Sequence, residues 1–503
     1  MEQDNLNLSM FKSSDIRTKE ENLNPQITKR LLCSIASYMK DIVRTNTIVL
    51  GHDARLGVPA LMQEALDLFP TFGINLVVNP LPISTPQFYY SCIQNPRASG
   101  IMFTASHNPG QYVGMKMIIP PMAPLSEGYG PEGGLTRIKE LYIENSSPEP
   151  VRSKGKITVK SYLSHYIEDA LYLAKLGQDS LRGMNVLCDF LCGAAGTEIT
   201  EALTYCGVNV TPLHLVPDGR FPAGDPNPII LSSIKEAQKQ MKKNRHYNFG
   251  LLFDGDGDRM DLMIPGGGQL TPSFNLSIIV NEIKRWHPEL SVLVDPKVNP
   301  YAQQFLANGC DFVGMIKNGH SHIKQAMREE KNYDFYAACE ESGHYYLKYP
   351  YNIKDFSKGY ACTENTLYYA LITARSFVEY DEVYNYVLDL QYKTYREREW
   401  TKHFGSVEKA QEVMDKVKQT FTQMGAGCYE KDYRGESLDA TLLRYNLPGI
   451  ITKETDLENT EWFQVFQRLS QSEDNVVRWE VTGSDSEKVI QAKEIINQIT
   501  KKN

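Results

Sequence analysis

The stretch Phe249-Gly250-Leu251-Leu252-Phe253-Asp254-Gly255-Asp256-Gly257-Asp258-Arg259 joins an apolar run that reads as a buried strand to three carboxylates at alternate positions. The acidic cluster therefore sits where a strand ends. Left unpaired, the three anions repel one another, and a hard divalent ion with oxygen ligands removes that cost. Mg²⁺ suits a site that keeps a position open for phosphate, and the intervening glycines let the backbone curl tightly around an ion. An EF-hand also begins Asp-x-Asp-x-Asp, but requires Gly at its sixth position and Glu at its twelfth. Those positions hold Arg259 and Pro265, so the calcium-loop reading fails. A solvated acidic turn stays open on the spacing alone.

The 503 residues allow about three or four domains. An apolar content of 42% and a charged content of 23% are ordinary for a globular protein. The net charge of −8 argues against a broad nucleic-acid or anionic-membrane surface. No apolar run is long enough to predict a transmembrane span, and the polar start MEQDNLNLSM predicts no secretory leader. Nine cysteines without a CxxC pair read as reduced thiols, which favours a cytoplasmic setting. Cys188 and Cys192 read as packing residues rather than zinc ligands, because no second ligand pair follows.

Working outward, helical and strand patterns alternate along most of the chain. Ile27, Leu31, Leu32, Ile35, Tyr38, Met39 and Ile42 keep helical spacing, and Thr47 to Leu50 reads as a short buried strand. A helix near Val58 to Leu68, a strand from Ile74 to Val78, a helix near Thr85 to Ile93 and a strand from Gly100 to Thr104 complete a βαβαβ course. That course implies a mostly parallel sheet with helices on its faces. Pro120 to Gly134 reads as a long loop and Asn145 to Gly155 as a linker. The pattern restarts twice, giving three similar α/β units. The tail differs, with a helix near Val407 to Met424, a strand near Val476 to Val481 and a last helix near Ser486 to Ile499. It reads as a smaller α+β domain. The expected limits are 1–150, 151–265, 266–382 and 383–503.

A second chemical loop follows the strand Ile101-Met102-Phe103, which runs into Thr104-Ala105-Ser106-His107-Asn108-Pro109. A serine just past a parallel strand stands where such sheets bind ligands, although Asn-Pro also favours a plain turn. A Ser-His-Asp hydrolase fits poorly. His107 neighbours Ser106, adjacent residues on an extended segment point apart, and the G-x-S-x-G elbow is missing. A serine that accepts and returns a phosphoryl group, with a metal to offset the charge, suits both loops better.

Together these loops resemble those of the α-D-phosphohexomutases, the phosphomannomutase/phosphoglucomutase group. TASHNP is followed by Lys116, and DGDGDR closes the acidic loop. Phe11-Lys12-Ser13-Ser14-Asp15-Ile16-Arg17 is similar to the family's opening FKxYDIRG, and Asp53-Ala54-Arg55 to its GxDxR segment. Pro217-Asp218-Gly219-Arg220-Phe221-Pro222 is similar to DGxFP, Pro296-Lys297 to a lysine-bearing strand end, and Lys317-Asn318-Gly319-His320-Ser321 to the GHS segment. Cys339-Glu340-Glu341-Ser342-Gly343-His344 resembles the sugar-reading loop GExSGH. The number and order of these segments make coincidence untenable.

The resemblance implies four domains around a cleft and an intramolecular phosphotransferase, an isomerase, that interconverts hexose 1-phosphate and hexose 6-phosphate of glucose or mannose. Ser106 would be the phosphoserine, and its phosphate would join Asp254, Asp256 and Asp258 around one Mg²⁺. Hexose 1,6-bisphosphate would be intermediate and activator. Lys116 and His344 are the matching proton-transfer groups, with Arg259 and Arg17 on phosphate oxygens. His107, Lys297, His320, Glu340 and Ser342 would contact the substrate, a small phosphosugar. The non-reacting phosphate would lie at Arg468, Ser470, Ser472 and Arg478. There the family's RxSGTEPxxR is eroded, with Gln471 for Gly, Asp474 for Pro and the second arginine one residue late. Asp474 would weaken a phosphate site unless its side chain turns away. Ser14, Thr18 and Gly114 also depart from the family's Tyr, Gly and Asn. Other readings are a phosphoglucosamine mutase or phosphopentomutase-like branch and a catalytically silent phosphosugar-binding protein. No nucleic-acid or membrane partner is expected, and the chain would be a monomer or homodimer.

Overall fold

Phe249–Phe253 is a fully buried central strand in the computed structural model, which describes residues 6–470 and 473–501. The chain divides into two compact units. One runs to Gln269 and takes in Lys324–Glu329 and His344–Arg375; the other holds Leu270–Ile323, Glu330–Gly343 and the chain from Ser376 onward.

The first unit contains two α/β sheets. In the first, the strands Thr47–His52, Asn75–Val78, Ser99–Phe103 and Ile157–Val159 run parallel, as the βαβαβ course predicts. The sheet is nonetheless mixed. Tyr112–Ile119 lies antiparallel against Ser99–Phe103, and Ile16–Lys19 antiparallel against Tyr112–Ile119. Sequence periodicity did not separate these two strands from their loops, because YVGMKMII carries Lys116 at its centre and shows no alternation. Helices start where sequence sets caps: the Asn24 side chain accepts from Ile27 N ahead of Pro25–Ser37, and Ser84 accepts from Gln87 N ahead of Thr85–Ile93. Leu31, Leu32 and Ile35 from the first helix close over Ile48, Leu50, Ile101 and Phe103.

In the second sheet Phe249–Phe253 pairs in parallel with Asn185–Asp189 and antiparallel with Met260–Met263. Phe253 stands opposite Met260, so the acidic segment 254–259 is the loop of a hairpin. Gly257 has φ +68°, and a Cβ on Gly255 would stand 2.8 Å from the carbonyl oxygen of Ser106. Both glycines are therefore required by the way this loop meets its neighbour. Tyr345–Pro350 and Tyr360–Glu364 add an antiparallel pair to this unit.

In the second unit Ser291–Val294 pairs in parallel with Phe312–Met315 and Phe335–Cys339. The C-terminal domain is an antiparallel sheet in the order Tyr395–His403, Val476–Gly483, Phe463–Leu469, Ser437–Tyr445, Gly427–Lys431. Val407–Gln423 and Ser486–Lys501 pack on it through Val413, Val417, Phe421, Val489 and Ile496 against Val465, Trp479 and Val481. This is the α+β tail expected from the sequence, with more strands than its pattern disclosed.

Glu198, on the helix Gly196–Tyr205, is buried, and the hydroxyl of Ser84 donates to its carboxyl. Burial pushes this carboxyl up to about 8, with the Ser84 hydrogen bond pulling the other way. The folded value is raised, so the group's stabilising contribution is complete below the unfolded value of about 4.3. It is lost as pH rises toward 8, at about 1.4 kcal/mol per pH unit. Glu198→Gln, neutral at every pH, is expected to raise the melting temperature by several degrees near pH 8 and to leave it unchanged near pH 4. Equal shifts at both pH values would exclude a titrating carboxyl.

Candidate active site

Ser106 lies just past the strand Ser99–Phe103, buried, with the left-handed φ of +52° that a residue with a side chain rarely adopts. A polar clamp holds it there. Ser106 N donates to Thr104 Oγ1 at 2.8 Å, and Thr104 Oγ1 donates to Asp53 Oδ2 at 2.7 Å. Asp53 also takes Arg55 Nε at 3.0 Å. The buried guanidinium of Arg55 then grips the loop from beneath, donating to the carbonyls of Ser106 (2.5 Å), Asn108 (2.6 Å), Pro109 (2.7 Å) and Tyr112 (3.0 Å). The Phe221 ring lies 5.2 Å from that guanidinium, which ties the DGRFP segment to the clamp.

The serine hydroxyl donates to Asp254 Oδ2 at 3.1 Å across 148 residues of sequence. Asp254, Asp256 and Asp258 are fully buried, and each offers an oxygen within 4.8 Å of the others. Burial first, and then Asp256 and Asp258, push the Asp254 carboxyl well above the usual carboxylate range. Thr85 Oγ1 donates to Asp256 Oδ2 at 2.6 Å, and Thr85 N to the Asp256 carbonyl at 2.8 Å. Lys116, also buried, donates to Asp256 Oδ2 at 2.7 Å and to Asp258 Oδ2. Burial by itself would lower the Lys116 ammonium, but Asp256 and Asp258 outweigh it and hold it above its ordinary value.

These residues fit a hard divalent cation. Asp256 Oδ1 and Asp258 Oδ1 are buried with no hydrogen-bond partner among the described residues, and the donor set is all oxygen. A single ammonium is a partial answer to three clustered carboxylates. Asp258, His344 and Glu364 form a second close group, but it is chemically committed. Lys324 Nζ donates to Glu364 at 3.0 Å, and Arg259 Nε donates to His344 Nε2 at 3.1 Å. Because arginine has no acceptor, neutral His344 carries its proton on Nδ1, which lies 3.6 Å from Asp258 Oδ1.

Arg17 completes the cationic rim. Its Nη1 donates to Asn108 Oδ1 at 2.7 Å, and Asp15 takes its Nε and Nη2. One sequence expectation is corrected. The segment at Ser106 is not extended, and the left-handed turn brings His107 Nδ1 to 3.2 Å from the Ser106 hydroxyl. Ser106, His107, Lys116, Arg17, the aspartate trio, Arg259 and His344 thus gather in the first unit.

The remaining candidates lie in the second unit. Glu340 accepts from Gly319 N at 2.9 Å and Asn318 Nδ2 at 3.3 Å, which anchors its carboxylate on the segment preceding His320. Ser342 is half-buried in the turn that follows. Arg478 Nε donates to Ser470 Oγ at 3.2 Å, and its Nη2 meets Glu473 at 2.5 Å. The negative charge expected from Asp474 is supplied here by Glu473. Arg468 Nε is shielded and has no hydrogen-bond partner among the described residues. Ser472 lies outside the described residues. Sequence reasoning missed Thr85 and the carbonyl grip of Arg55, which carry no local signal. It also missed Glu399, which stands between Lys297 and Arg478, at 3.3 and 2.6 Å.

Among the described residues no helix is long and apolar enough to cross a membrane. Family models described as phosphoglucomutase/phosphomannomutase alpha/beta/alpha domains I, II and III match residues 8–128, 160–267 and 272–358. Similar curated proteins include the phosphohexose mutases of Xanthomonas campestris pv. campestris strain B100, 27% identical over 350 residues, covering 69% of this chain and 74% of the relative. The phosphoglucomutase of Neisseria meningitidis serogroup B is 30% identical over 328 residues, covering 63% and 66%. Among solved structures, a phosphoglucomutase/phosphomannomutase family protein of Burkholderia thailandensis has the same fold with a TM-score of 0.77 at 20% identity, covering 99% of this chain and 98% of that one. The open form of the Paramecium phosphoglucomutase pp63/parafusin gives 0.73 at 16% identity, covering 98% and 95%.

If the aspartate trio holds Mg²⁺, the ion raises the melting temperature. At about a hundredfold excess over its dissociation constant the gain is ~2.7 kcal/mol. Asp256→Asn is expected to lose most of that rise in a thermal-shift titration. An undiminished rise in the variant would move the ion elsewhere.

Proposed function

Because the chain belongs to the α-D-phosphohexomutase family, the phosphoglucomutase/phosphomannomutase group, we propose that it interconverts the 1- and 6-phosphates of glucose, mannose or both through a phosphoserine at position 106. The class of reaction, phosphohexose mutation by an isomerase, comes with the family. The phosphoserine route, the sugar and the residue roles are the proposal. The observation that carries it is the meeting of Ser106 Oγ with Asp254 at 3.1 Å, beside Lys116 and on the loop that Arg55 clamps.

In this reading phospho-Ser106 gives its phosphoryl group to the free hydroxyl of a hexose monophosphate. The P–Oγ bond breaks as the new P–O bond forms, and the hydroxyl proton passes to a basic side chain. The resulting hexose 1,6-bisphosphate turns around and returns its other phosphate to Ser106. Mg²⁺ held by Asp254, Asp256, Asp258 and the phosphoserine would supply charge stabilisation at the transferring group. Arg259 and Arg17 would hold phosphate oxygens. Lys116 and His344 are the proton-transfer pair. Lys116 stays charged while Asp256 and Asp258 hold it and is the donor of the pair, whereas neutral His344 would take the hydroxyl proton on Nε2 once Arg259 leaves that nitrogen for a phosphate oxygen. Lys297, His320, Glu340 and Ser342 are assigned to the sugar and His107 to the reacting phosphate. Arg468, Ser470, Ser472 and Arg478 are assigned to the non-reacting phosphate. Domain limits of 1–150, 151–265, 266–382 and 383–503 and a cytoplasmic monomer or homodimer belong to the same proposal.

A coupled assay primed with glucose 1,6-bisphosphate, run on glucose, mannose and glucosamine 1-phosphates, is expected to show turnover on glucose or mannose. Ser106→Ala should abolish that turnover, with a loss of at least about 10³-fold, while sugar-phosphate binding survives. Full activity in the variant would refute the phosphoserine, and silence on every sugar would favour a binding protein.

A further inference from the structure

In the second unit, two cations close on one carboxylate. Glu399, on the strand Tyr395–His403, lies 2.6 Å from Arg478 Nη1 and 3.3 Å from Lys297 Nζ. Burial would raise its carboxyl, but Lys297, then Arg478 and Arg468, outweigh burial and hold it far below the usual carboxylate range. Lys297 is buried and Glu399 mostly so. Glu399 comes from neither the 468–478 loop nor the segment around Lys297. Each nitrogen of Arg478 already has a partner in the protein: Ser470 on Nε, Glu399 on Nη1 and Glu473 on Nη2. Arg468 alone keeps a shielded donor, Nε, without a hydrogen-bond partner among the described residues.

A phosphate monoester carries about −1.5 to −2 charge at neutral pH and needs those same cations. We propose that Glu399 is an internal stand-in for phosphate, an anion of the protein's own that occupies the cation cluster and competes with the sugar phosphate for it. The inference rests on the assignment of Lys297, Arg468 and Arg478 to the substrate made above. It also gives the competition a purpose. A grip that must hold either end of a bisphosphate has to let go between half-reactions. A carboxylate already at hand keeps the cations neutralised at that moment and lowers the cost of release. Without that carboxylate, the buried Lys297 and the half-buried Arg468 and Arg478 would hold the intermediate too tightly to turn it around.

Glu399→Gln keeps the shape and removes the competing charge. Isothermal titration with inorganic phosphate is expected to show affinity raised about tenfold, the order expected for one charge in a partly screened site. Arg468→Met in the same background should abolish the gain. In turnover on a hexose 1-phosphate, KM should fall and kcat fall with it, the signature of a phosphate held too well. Weaker or unchanged phosphate binding in Glu399→Gln would overturn the proposal and make Glu399 a strut that positions the cations. Should that variant fail to fold, Glu399→Asp, which withdraws the carboxylate by one methylene, must shift affinity in the same direction by a smaller amount. The phosphate titration needs no turnover. A chain with no mutase activity but tighter phosphate binding in the variant would therefore refute the mutase reading and leave the stand-in intact.

Discussion

Three carboxylates with no solvent exposure share one hairpin loop, and most of the first unit follows from the need to neutralise them. Like charges held this close in a weakly polarisable interior repel strongly. Lys116 is drawn in from an adjacent sheet, Arg259 is anchored on Asp254 through its own backbone N–H, and Thr85 donates twice to Asp256 from a helix start. The loop's glycines are a second consequence, because Gly255 must pass close to the Ser106 carbonyl and Gly257 must turn left-handed. The same charge excess gives a reason for a divalent cation.

The serine is held by a different means. Ser106 occupies an unfavourable backbone region, and the surrounding hydrogen bonds over-determine it. Arg55 makes four donor contacts to carbonyls between Ser106 and Tyr112, so its charge holds the shape of that loop. That gives a structural reason for an Asp-x-Arg segment to accompany the serine loop. In the second unit a carboxylate does the reverse work, holding cations in place of a ligand.

Much of this was legible in the sequence. The helices Val58–Leu68 and Thr85–Ile93 stand where periodicity puts them, because each pairs a clear apolar pattern with a proline in its first turn. The aspartate trio was legible because alternate carboxylates at a strand end have few other uses. Tyr112–Ile119 was hidden because its one charged residue, Lys116, is buried for the site's sake. Tyr395–His403 has no apolar alternation to mark it, because YREREWTKH spreads charges along a half-buried edge strand. Thr85, Arg55 and Glu399 act on partners far along the chain or on backbone carbonyls, and neither kind of contact leaves a local pattern. The geometry at His107 was misread for the related reason that a left-handed turn at a serine has no sequence signature.

The most direct decision comes from mass mapping of the protein after incubation with glucose 1,6-bisphosphate and Mg²⁺. A single phosphoryl group is expected on the peptide containing Ser106, assigned to the serine oxygen and removed on a chase with hexose 6-phosphate. Steady turnover with Ser106 unmodified, or a phosphoryl group carried by the neighbouring His107 instead, would contradict the site as built here.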